Sequence, residues 1–173
     1  MQSPNTVKED CIVPIATSRE AKTLVLFGKV GNGKSALGNS IIGKKELFSG
    51  VTTTCKLETT TFDDGQVVNV IDTPGLFDQS REPGYSTREM AKCISLAKDG
   101  IDGFIFVCSI RTTFSPEEAC VFQSLRKIFS EKFINYTIVV FTGGDELDMT
   151  FPEYLSKCPP SLQVVQEVCV YFL

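Results

Sequence analysis

The sequence predicts a single three-layer α/β domain, in which helices cover both faces of a mostly parallel sheet. Strand-length apolar runs alternate with longer segments of helical pattern, as they do in α/β domains. Two of these runs, 103–109 and 136–142, are apolar almost throughout, which is typical of parallel strands covered on both faces. The length of 173 residues suits one domain with a sizeable core.

The domain begins after a polar segment. Residues 1–20 contain two prolines and few apolar side chains, so we expect a flexible arm there and the domain at 21–173. The apolar run 23–27 predicts a strand that leads into a glycine-rich turn. A helix is expected to begin near Lys34.

A hairpin and two helix starts follow along the chain. The runs 56–62 and 66–71 flank the turn signal at 63–65, which predicts two antiparallel strands with the first at an edge of the sheet. Ser115 and Thr150 are each followed three residues later by a glutamate, which is the capping-box pattern of a helix N-terminus.

Composition excludes several classes of protein. The net charge of −4 argues against broad nucleic-acid binding, and no apolar stretch is long enough to cross a bilayer. The first residues lack the apolar core of a signal peptide, and the seven cysteines include no C-x-x-C pair, so we expect a cytoplasmic protein with buried reduced thiols. The absence of histidine removes the common histidine zinc sites and the Ser–His and Cys–His nucleophile pairs.

The most specific motif is a phosphate-binding loop. Residues 28–35 read GKVGNGKS and fit G-x-x-x-x-G-K-[ST] between a predicted strand and a predicted helix. Backbone N–H groups of such a loop surround a β-phosphate, and the helix dipole adds positive charge. We expect Lys34 to bridge the β- and γ-phosphates and Ser35 to bind Mg²⁺. The predicted nucleotide-binding residues of this region are Gly28, Lys29, Val30, Gly31, Asn32, Gly33, Lys34, Ser35 and Ala36.

A second phosphate element lies where the strand 66–71 ends, in Asp72-Thr73-Pro74-Gly75. Asp72 is placed to hold Mg²⁺, usually through a water, and the Gly75 N–H can reach a γ-phosphate. D-x-x-G alone is weak evidence, because an aspartate before such a turn is common turn chemistry. Its place across a hairpin from the phosphate loop makes it specific.

The choice of base depends on Thr142-Gly143-Gly144-Asp145, which ends the last apolar run. The Asp145 carboxylate can accept two hydrogen bonds from guanine N1–H and N2–H₂, a pair that adenine does not offer. The alternative is an aspartate that only caps a Gly-Gly turn.

Four motifs together resemble one family. GKVGNGKS, DTPGLFD, SIRTTFSPEE and VVFTGGDEL are similar to the plant avirulence-induced, immune-associated nucleotide-binding GTPases, which are related to GIMAP proteins and more distantly to chloroplast Toc receptors. The resemblance covers about residues 22–165. It implies a P-loop NTPase fold like that of Ras and septins, GTP, GDP and Mg²⁺ as ligands, and homo- or hetero-oligomers with family members.

The resemblance also implies roles for single residues. Thr142 and Asp145 match the base-reading loop. A switch I threonine that closes over Mg²⁺ should lie within Thr52-Thr53-Thr54, and the sequence does not distinguish among the three. On this pattern the catalytic residues are Lys34, Thr53 and Gly75, and the Mg²⁺ ligands are Ser35, Thr53 and Asp72. A specific role for Arg111 is not evident.

Three departures from the family pattern bear on function. Leu76 stands where Ras-like enzymes carry a water-orienting glutamine, so hydrolysis should be slow or depend on a residue supplied in trans. Gly143-Gly144 replaces the Asn-Lys type of loop, which removes a lysine that braces the phosphate loop. No second guanine loop follows residue 160, so the chain is expected to lack the last strand and helix of the domain. The strand 136–141 would then expose an unpaired edge unless the tail pairs with it.

These features favour a GTP/GDP-binding switch with slow hydrolysis that is assisted by dimerisation or a partner. The alternative is a truncated interaction module that binds nucleotide poorly and associates with full-length relatives. A P-loop ATP kinase is a distant third, because it requires a preference for ATP despite Asp145.

Overall fold

A computed structural model describes residues 21–44, 48, 50–76, 81–165 and 169–172. The predicted arm at 1–20 lies outside the described residues. The strands are β1 (Ala21–Gly28), β2 (Lys56–Thr61), β3 (Val67–Asp72), β4 (Gly103–Ser109), β5 (Thr137–Thr142) and β6 (Cys169–Phe172). The helices are α1 (Lys34–Ile42), α2 (Tyr85–Leu96), α3 (Pro116–Phe129) and α4 (Phe151–Lys157), with short 3₁₀ helices at Glu131–Tyr136, Gly144–Glu146 and Pro160–Val165.

The strands form one sheet in the order β2-β3-β1-β4-β5-β6. β2 runs antiparallel to β3, and every other neighbouring pair is parallel. The predictions of a mostly parallel sheet, of a hairpin and of an edge strand at its start are confirmed. Because the four strands β3, β1, β4 and β5 are parallel, the loops that follow them meet at one edge of the sheet.

The end of the chain corrects one prediction. The expected loss of the sixth strand is wrong, because Cys169–Phe172 forms β6 and pairs with β5 from Ile138 to Phe141. The end of the chain therefore pairs with the edge of β5, which would otherwise be exposed. β5 is buried along most of its length, so its backbone N–H and C=O groups need a partner on that side.

The core lies on both faces of the sheet. Side chains alternate along β4, so that Phe104 and Phe106 face one side and Ile105 and Val107 face the other. On the first side, phenylalanines from the sheet, from α3 and from the following 3₁₀ helix pack ring against ring, with Phe104 and Phe133 centroids 4.8 Å apart. Side chains of α2 and α3 complete that side, and those of α1 cover the other. The apolar character of β4 and β5 follows from this double coverage.

Both predicted capping boxes are present, at Ser115 for α3 and at Thr150 for α4. Of the cysteines in the described ranges, Cys55, Cys93 and Cys108 are buried free thiols, as predicted. The exposed Cys120 departs from that prediction, because it faces outward on α3. No helix within the described residues is long and apolar enough to cross a membrane.

Candidate functional site

The glycine-rich loop at 29–33 joins β1 to α1 at the carboxyl edge of the sheet. Gly28 before it has a φ of 146°, and Gly31 and Gly33 within it have φ values of 86° and 90°, a backbone region that other residues rarely adopt. A Cβ on Gly28 would lie 2.2 Å from the Val107 carbonyl oxygen. The close approach of β1 and β4 therefore requires glycine where the loop begins.

The N-terminus of α1 is open toward this loop. Its N-cap residue, Gly33, provides no side-chain hydrogen bond, and the first turn contains no acidic residue. The first backbone N–H groups of a helix lack partners within the helix, and the helix dipole makes that end positive. The arrangement suits a bound anion such as a phosphate group.

Lys34, the first residue of α1, lies folded over the loop. Its ammonium donates a hydrogen bond to the Lys29 carbonyl oxygen at 3.0 Å, and its side chain is buried. Burial lowers the pKa of Lys34, and the negative charge of Asp72 opposes that shift in part. A buried cation beside an open helix end is placed to neutralise an anion there.

Below the loop, two hydroxyls converge on one carboxylate. The Oδ2 atom of Asp72 accepts hydrogen bonds from Ser35 Oγ at 2.7 Å and from Thr52 Oγ1 at 2.8 Å, and the two hydroxyl oxygens are 3.1 Å apart. Asp72 is completely buried, and its Oδ1 atom has no hydrogen-bond partner among the described residues. These three side chains come from α1, from the segment before β2 and from the end of β3.

This set of donors fits Mg²⁺. The ion prefers oxygen ligands and usually takes only one or two protein carboxylates, with waters and substrate phosphates completing its shell. The unpartnered Asp72 Oδ1 is an unmet polar atom that such an ion or its waters would satisfy. Within the described part of the chain, no group of three or more His, Cys, Asp or Glu side chains offers an alternative metal site.

The structure brings Thr52, and not Thr53, to this site. Thr52 is 9% exposed, whereas Thr53 is exposed and its backbone carbonyl accepts a hydrogen bond from the Tyr85 hydroxyl at 2.9 Å. The structure thus places Thr52 beside Asp72, whereas the choice of Thr53 as the Mg²⁺ ligand stays a prediction that this placement does not favour. The next residue, Thr54, donates to the Glu89 carboxylate at 3.0 Å and does not face Asp72.

Hydrogen bonds from α2 explain why Thr52, of three similar threonines, is the one that faces Asp72. Glu89 also accepts the Cys55 backbone N–H at 2.7 Å, and Lys92 donates to Thr54 Oγ1 at 2.6 Å. With Thr54 and Cys55 held on α2, Thr52 is the threonine whose side chain turns toward Asp72. Sequence reasoning missed Tyr85, Glu89 and Lys92, since a charged helix face carries no signal of what it contacts.

Gly75 and Leu76 follow Asp72 along the same edge. A Cβ on Gly75 would lie 2.4 Å from the Val30 side chain, so any other residue at this position would displace that side chain. Leu76 is buried in the core and presents no polar group to the site. Phe77 and Asp78, which end the DTPGLFD motif, lie outside the described residues. A cavity of about 270 Å³ is lined by Val30, Gly31, Gly33, Lys34, Ser35, Ala36, Gly50, Val51, Thr52 and Gly75.

The end of β5 contacts the phosphate loop directly. Thr142 Oγ1 donates to the Asn32 carbonyl oxygen at 2.8 Å and lies 3.1 Å from the Cys108 carbonyl oxygen. This hydroxyl supplies a brace that the sequence suggested was lost with the lysine of the Asn-Lys loop. The sequence does not show this contact, because Thr142 and Asn32 are 110 positions apart and meet only in the folded chain.

Two neighbouring carboxylates in the loop after β5 differ in their surroundings. Glu146 accepts two hydrogen bonds from Arg111, at 2.9 and 2.7 Å, and this pairing lowers the pKa of Glu146. Asp145 is exposed in the 3₁₀ helix Gly144–Glu146. Arg111 thus occupies Glu146 and leaves the Asp145 carboxylate presented at the surface.

The match to a known family spans nearly the whole described chain. The AIG1 family model matches residues 22–171. Immune-associated nucleotide-binding protein 9 of Arabidopsis thaliana is 45% identical over 163 residues, covering 89% of this chain and 47% of that protein. Protein 12 of the same series is 43% identical over 156 residues, covering 86% of this chain and 40% of the relative. The chain thus spans about half the length of the curated relatives it matches.

Solved structures show the same fold at lower identity. Toc33 of Arabidopsis thaliana in complex with Mg²⁺ and GMPPNP has a TM-score of 0.71 at 20% identity, covering 88% of this chain and 70% of that chain. Aquifex aeolicus Era bound to GDP·AlF₄⁻ has a TM-score of 0.63 at 17% identity, covering 88% and 50%. These likenesses place the sheet and helices among the P-loop GTPase folds.

Proposed function

We propose that this chain, which belongs to the AIG1 family, is a guanine-nucleotide-binding switch with slow intrinsic GTP hydrolysis. One observation carries the proposal. The hydroxyls of Ser35 and Thr52 meet on the Asp72 carboxylate directly below an uncapped helix start. A site that joins an open anion-binding helix end to a buried oxygen cluster suits a phosphate chain with a divalent cation.

The phosphates would lie against the loop at 29–33 and the first turn of α1. Lys34 would leave the Lys29 carbonyl and turn its ammonium to the β- and γ-phosphates. Ser35 and Thr52 would bind Mg²⁺ through their hydroxyl oxygens, and Asp72 would hold its waters. When bound, the ion neutralises charge on the phosphate oxygens. Toc33 has been crystallised with GDP and Mg²⁺, which supports this assignment.

Guanine recognition is assigned to Asp145. Its exposed carboxylate follows β5 at the same edge as the phosphate loop, and Thr142 fixes the position of that strand end through Asn32. A carboxylate selects guanine because it accepts from N1–H and N2–H₂ together.

Switching would begin at Thr52. A γ-phosphate that draws Thr52 inward also acts on Thr54 and Cys55, which α2 holds through Glu89. α2, the helix that follows residues 72–75, is thereby linked to the segment 52–55. Order in such segments depends on the γ-phosphate in GTPases.

Hydrolysis would be slow because Leu76 is buried and apolar, so it cannot orient an attacking water. A residue supplied by a second copy or by a relative would complete the site. Dimerisation is described as important for the GTPase activity of the Toc33 and Toc159 components, which supports assistance of this kind.

Titration of the chain with fluorescent GDP, GTP and ATP analogues in Mg²⁺ tests the proposal, with Lys34→Ala as the matched variant. We expect GDP and GTP to bind the wild type at least tenfold more tightly than ATP does, and Lys34→Ala to lose most of that affinity. Equal binding by wild type and Lys34→Ala would overturn the switch and favour the interaction module. A preference for ATP would favour a kinase.

A further inference from the structure

The side chain of Asn32 is buried inside the phosphate loop, with 3% exposure. Its Nδ2 atom donates two hydrogen bonds, to the Val107 carbonyl oxygen at 3.0 Å and to Glu118 Oε1 at 2.9 Å. An amide group that faces the protein interior in this way contributes to the shape of the loop and not to ligand contact.

Glu118 joins this loop to the start of α3. The residue is 4% exposed, and its two carboxylate oxygens have different partners. Oε1 accepts from Asn32, whereas Oε2 accepts from the Ser115 backbone N–H at 2.9 Å and from Ser115 Oγ at 3.0 Å. These donors give both oxygens of the buried side chain a partner.

The backbone of Asn32 is held as firmly as its side chain. Its N–H donates to the Lys29 carbonyl oxygen at 3.3 Å, and its carbonyl accepts from Thr142 Oγ1 at 2.8 Å. The flanking Gly31 and Gly33 have positive φ values and lack side chains that could hold the turn. The side-chain bonds of Asn32 therefore restrain this part of the loop directly from α3 and β4.

We propose that Glu118 is a positioning residue for nucleotide binding. Its carboxylate holds the Asn32 amide, and through it keeps the turn at 29–33 in the shape that receives phosphate. Neither the phosphate nor the cation touches Glu118 in this arrangement. The inference rests on the proposed function, because it assigns to Glu118 a part in the same site.

Release of a fluorescent GDP analogue from the full chain in Mg²⁺, followed by stopped flow, tests this role. Glu118→Gln keeps the size of the side chain, but one of its two terminal atoms becomes a donor that faces another donor. Loss of the hydrogen bond between Asn32 and residue 118 predicts release about tenfold faster than in the wild type. Asn32→Ala removes the same bond from the other side and leaves the α3 capping box intact.

The double variant, Asn32→Ala with Glu118→Gln, distinguishes a positioning role from a merely structural one through its GDP release rate. If Glu118 acts through Asn32, the double variant releases GDP no faster than Asn32→Ala alone. Glu153→Gln is the matched control, since Glu153 forms the same capping box on α4 with Thr150 and makes no contact with the phosphate loop. It should lower stability and leave GDP release unchanged.

Two results would overturn the inference. One is a wild-type release rate in Asn32→Ala, and the other is single effects that multiply in the double variant. If Glu118→Gln fails to fold by circular dichroism, Asn32→Ala decides alone, and an unchanged rate refutes the role. A folded wild type that retains no GDP instead refutes the proposed function, and the positioning role with it.

Discussion

The starts of α1 and α3 lie at the same edge of the sheet, on its opposite faces, and are built in opposite ways. α3 begins at Ser115 with a complete capping box, a proline in its first turn, and Glu117 and Glu118 near its N-terminus. α1 begins at Gly33 with no side-chain cap and no acidic residue in its first turn. Both are helix N-termini with a dipole of the same sense, so the difference lies in the N-cap and first-turn residues.

This difference separates structural helix ends from functional ones. An N-terminus closed by its own side chains has its backbone N–H groups satisfied, and it contributes stability. An N-terminus without a cap leaves those groups to an external partner. At α1, the buried Lys34 and the Ser35–Asp72 pair lie beside the open end. The closed end of α3 in turn supports the open end of α1 through Glu118 and Asn32.

Closing the open end should have the largest effect. Ala36 is the third residue of α1 and is exposed, so Ala36→Glu places a carboxylate where a capping-box glutamate would sit. The negative charge competes with phosphate for the same N–H groups, and we expect GDP affinity to fall about 100-fold. Thermal stability without nucleotide should stay the same or rise, because an acid in the first turn is favourable.

Ala36→Gln is the control, with nearly the same size and no charge. It should lose much less affinity than Ala36→Glu when both are titrated with a fluorescent GDP analogue. Equal losses in the two variants would mean that side-chain bulk, and not charge at the helix start, decides the result.

The open end accepts phosphate whatever the base, so selection must come from elsewhere. Asp145→Asn turns one carboxylate oxygen into an N–H donor, which matches the C2 carbonyl of xanthine and not the amino group of guanine. We expect GDP affinity to fall roughly thirtyfold and xanthosine diphosphate to bind better than GDP. Competition titrations with both nucleotides measure the exchange.

Glu146→Gln provides the matched control for this change. Glu146 is the next residue and carries the same charge, but Arg111 already occupies its carboxylate. It should keep the preference for guanine. A loss of preference in Glu146→Gln as large as that in Asp145→Asn would contradict the assignment of Asp145.

Much of the fold could be predicted because its signals are local. The apolar runs of β4 and β5, the turn between β2 and β3, and both capping boxes depend on residues within a few positions of one another. β6 was missed because it is a four-residue strand whose pairing with β5 depends on tertiary structure. Its sequence, CVYF, does not by itself state a partner.

The site divides in the same way between local and distant information. The phosphate loop and Asp72 have motifs with fixed spacing, whereas the choice of Thr52 over Thr53 depends on α2, more than 30 positions away in the sequence. The capping role of Glu118 was readable, since Ser115 lies three residues before it. Its second oxygen reaches Asn32, which is 86 positions away, and no sequence period encodes that contact.

Opening the closed end should have a smaller effect, on stability. Ser115→Ala removes the hydroxyl that accepts the Glu118 backbone N–H at the start of α3. Loss of an N-cap of this kind costs about 1 kcal/mol. Urea unfolding of the nucleotide-free chain gives the change in free energy of unfolding. A change within a few tenths of a kcal/mol would show that the cap is not what stabilises α3.

The smallest effect concerns the charge of Lys34 at the open end. Burial lowers the folded-state pKa of Lys34 below its ordinary value of 10.5, with the Asp72 charge opposing that shift. Between the two pKa values the unfolded chain binds more protons than the folded chain, so the folded state gains stability from this group as pH rises toward 10.5. We expect the free energy of unfolding of the wild type, relative to Lys34→Met, to increase from about pH 7 to about pH 10. The buried thiols titrate in both proteins and cancel in the difference.

Saturating GDP should shrink or reverse this increase with pH, because a phosphate beside the Lys34 ammonium raises the pKa of that group. A difference that stays constant with pH in the nucleotide-free chain would mean that Lys34 is solvated in the open loop, and the open end of α1 would then lack the buried cation that distinguishes it from α3.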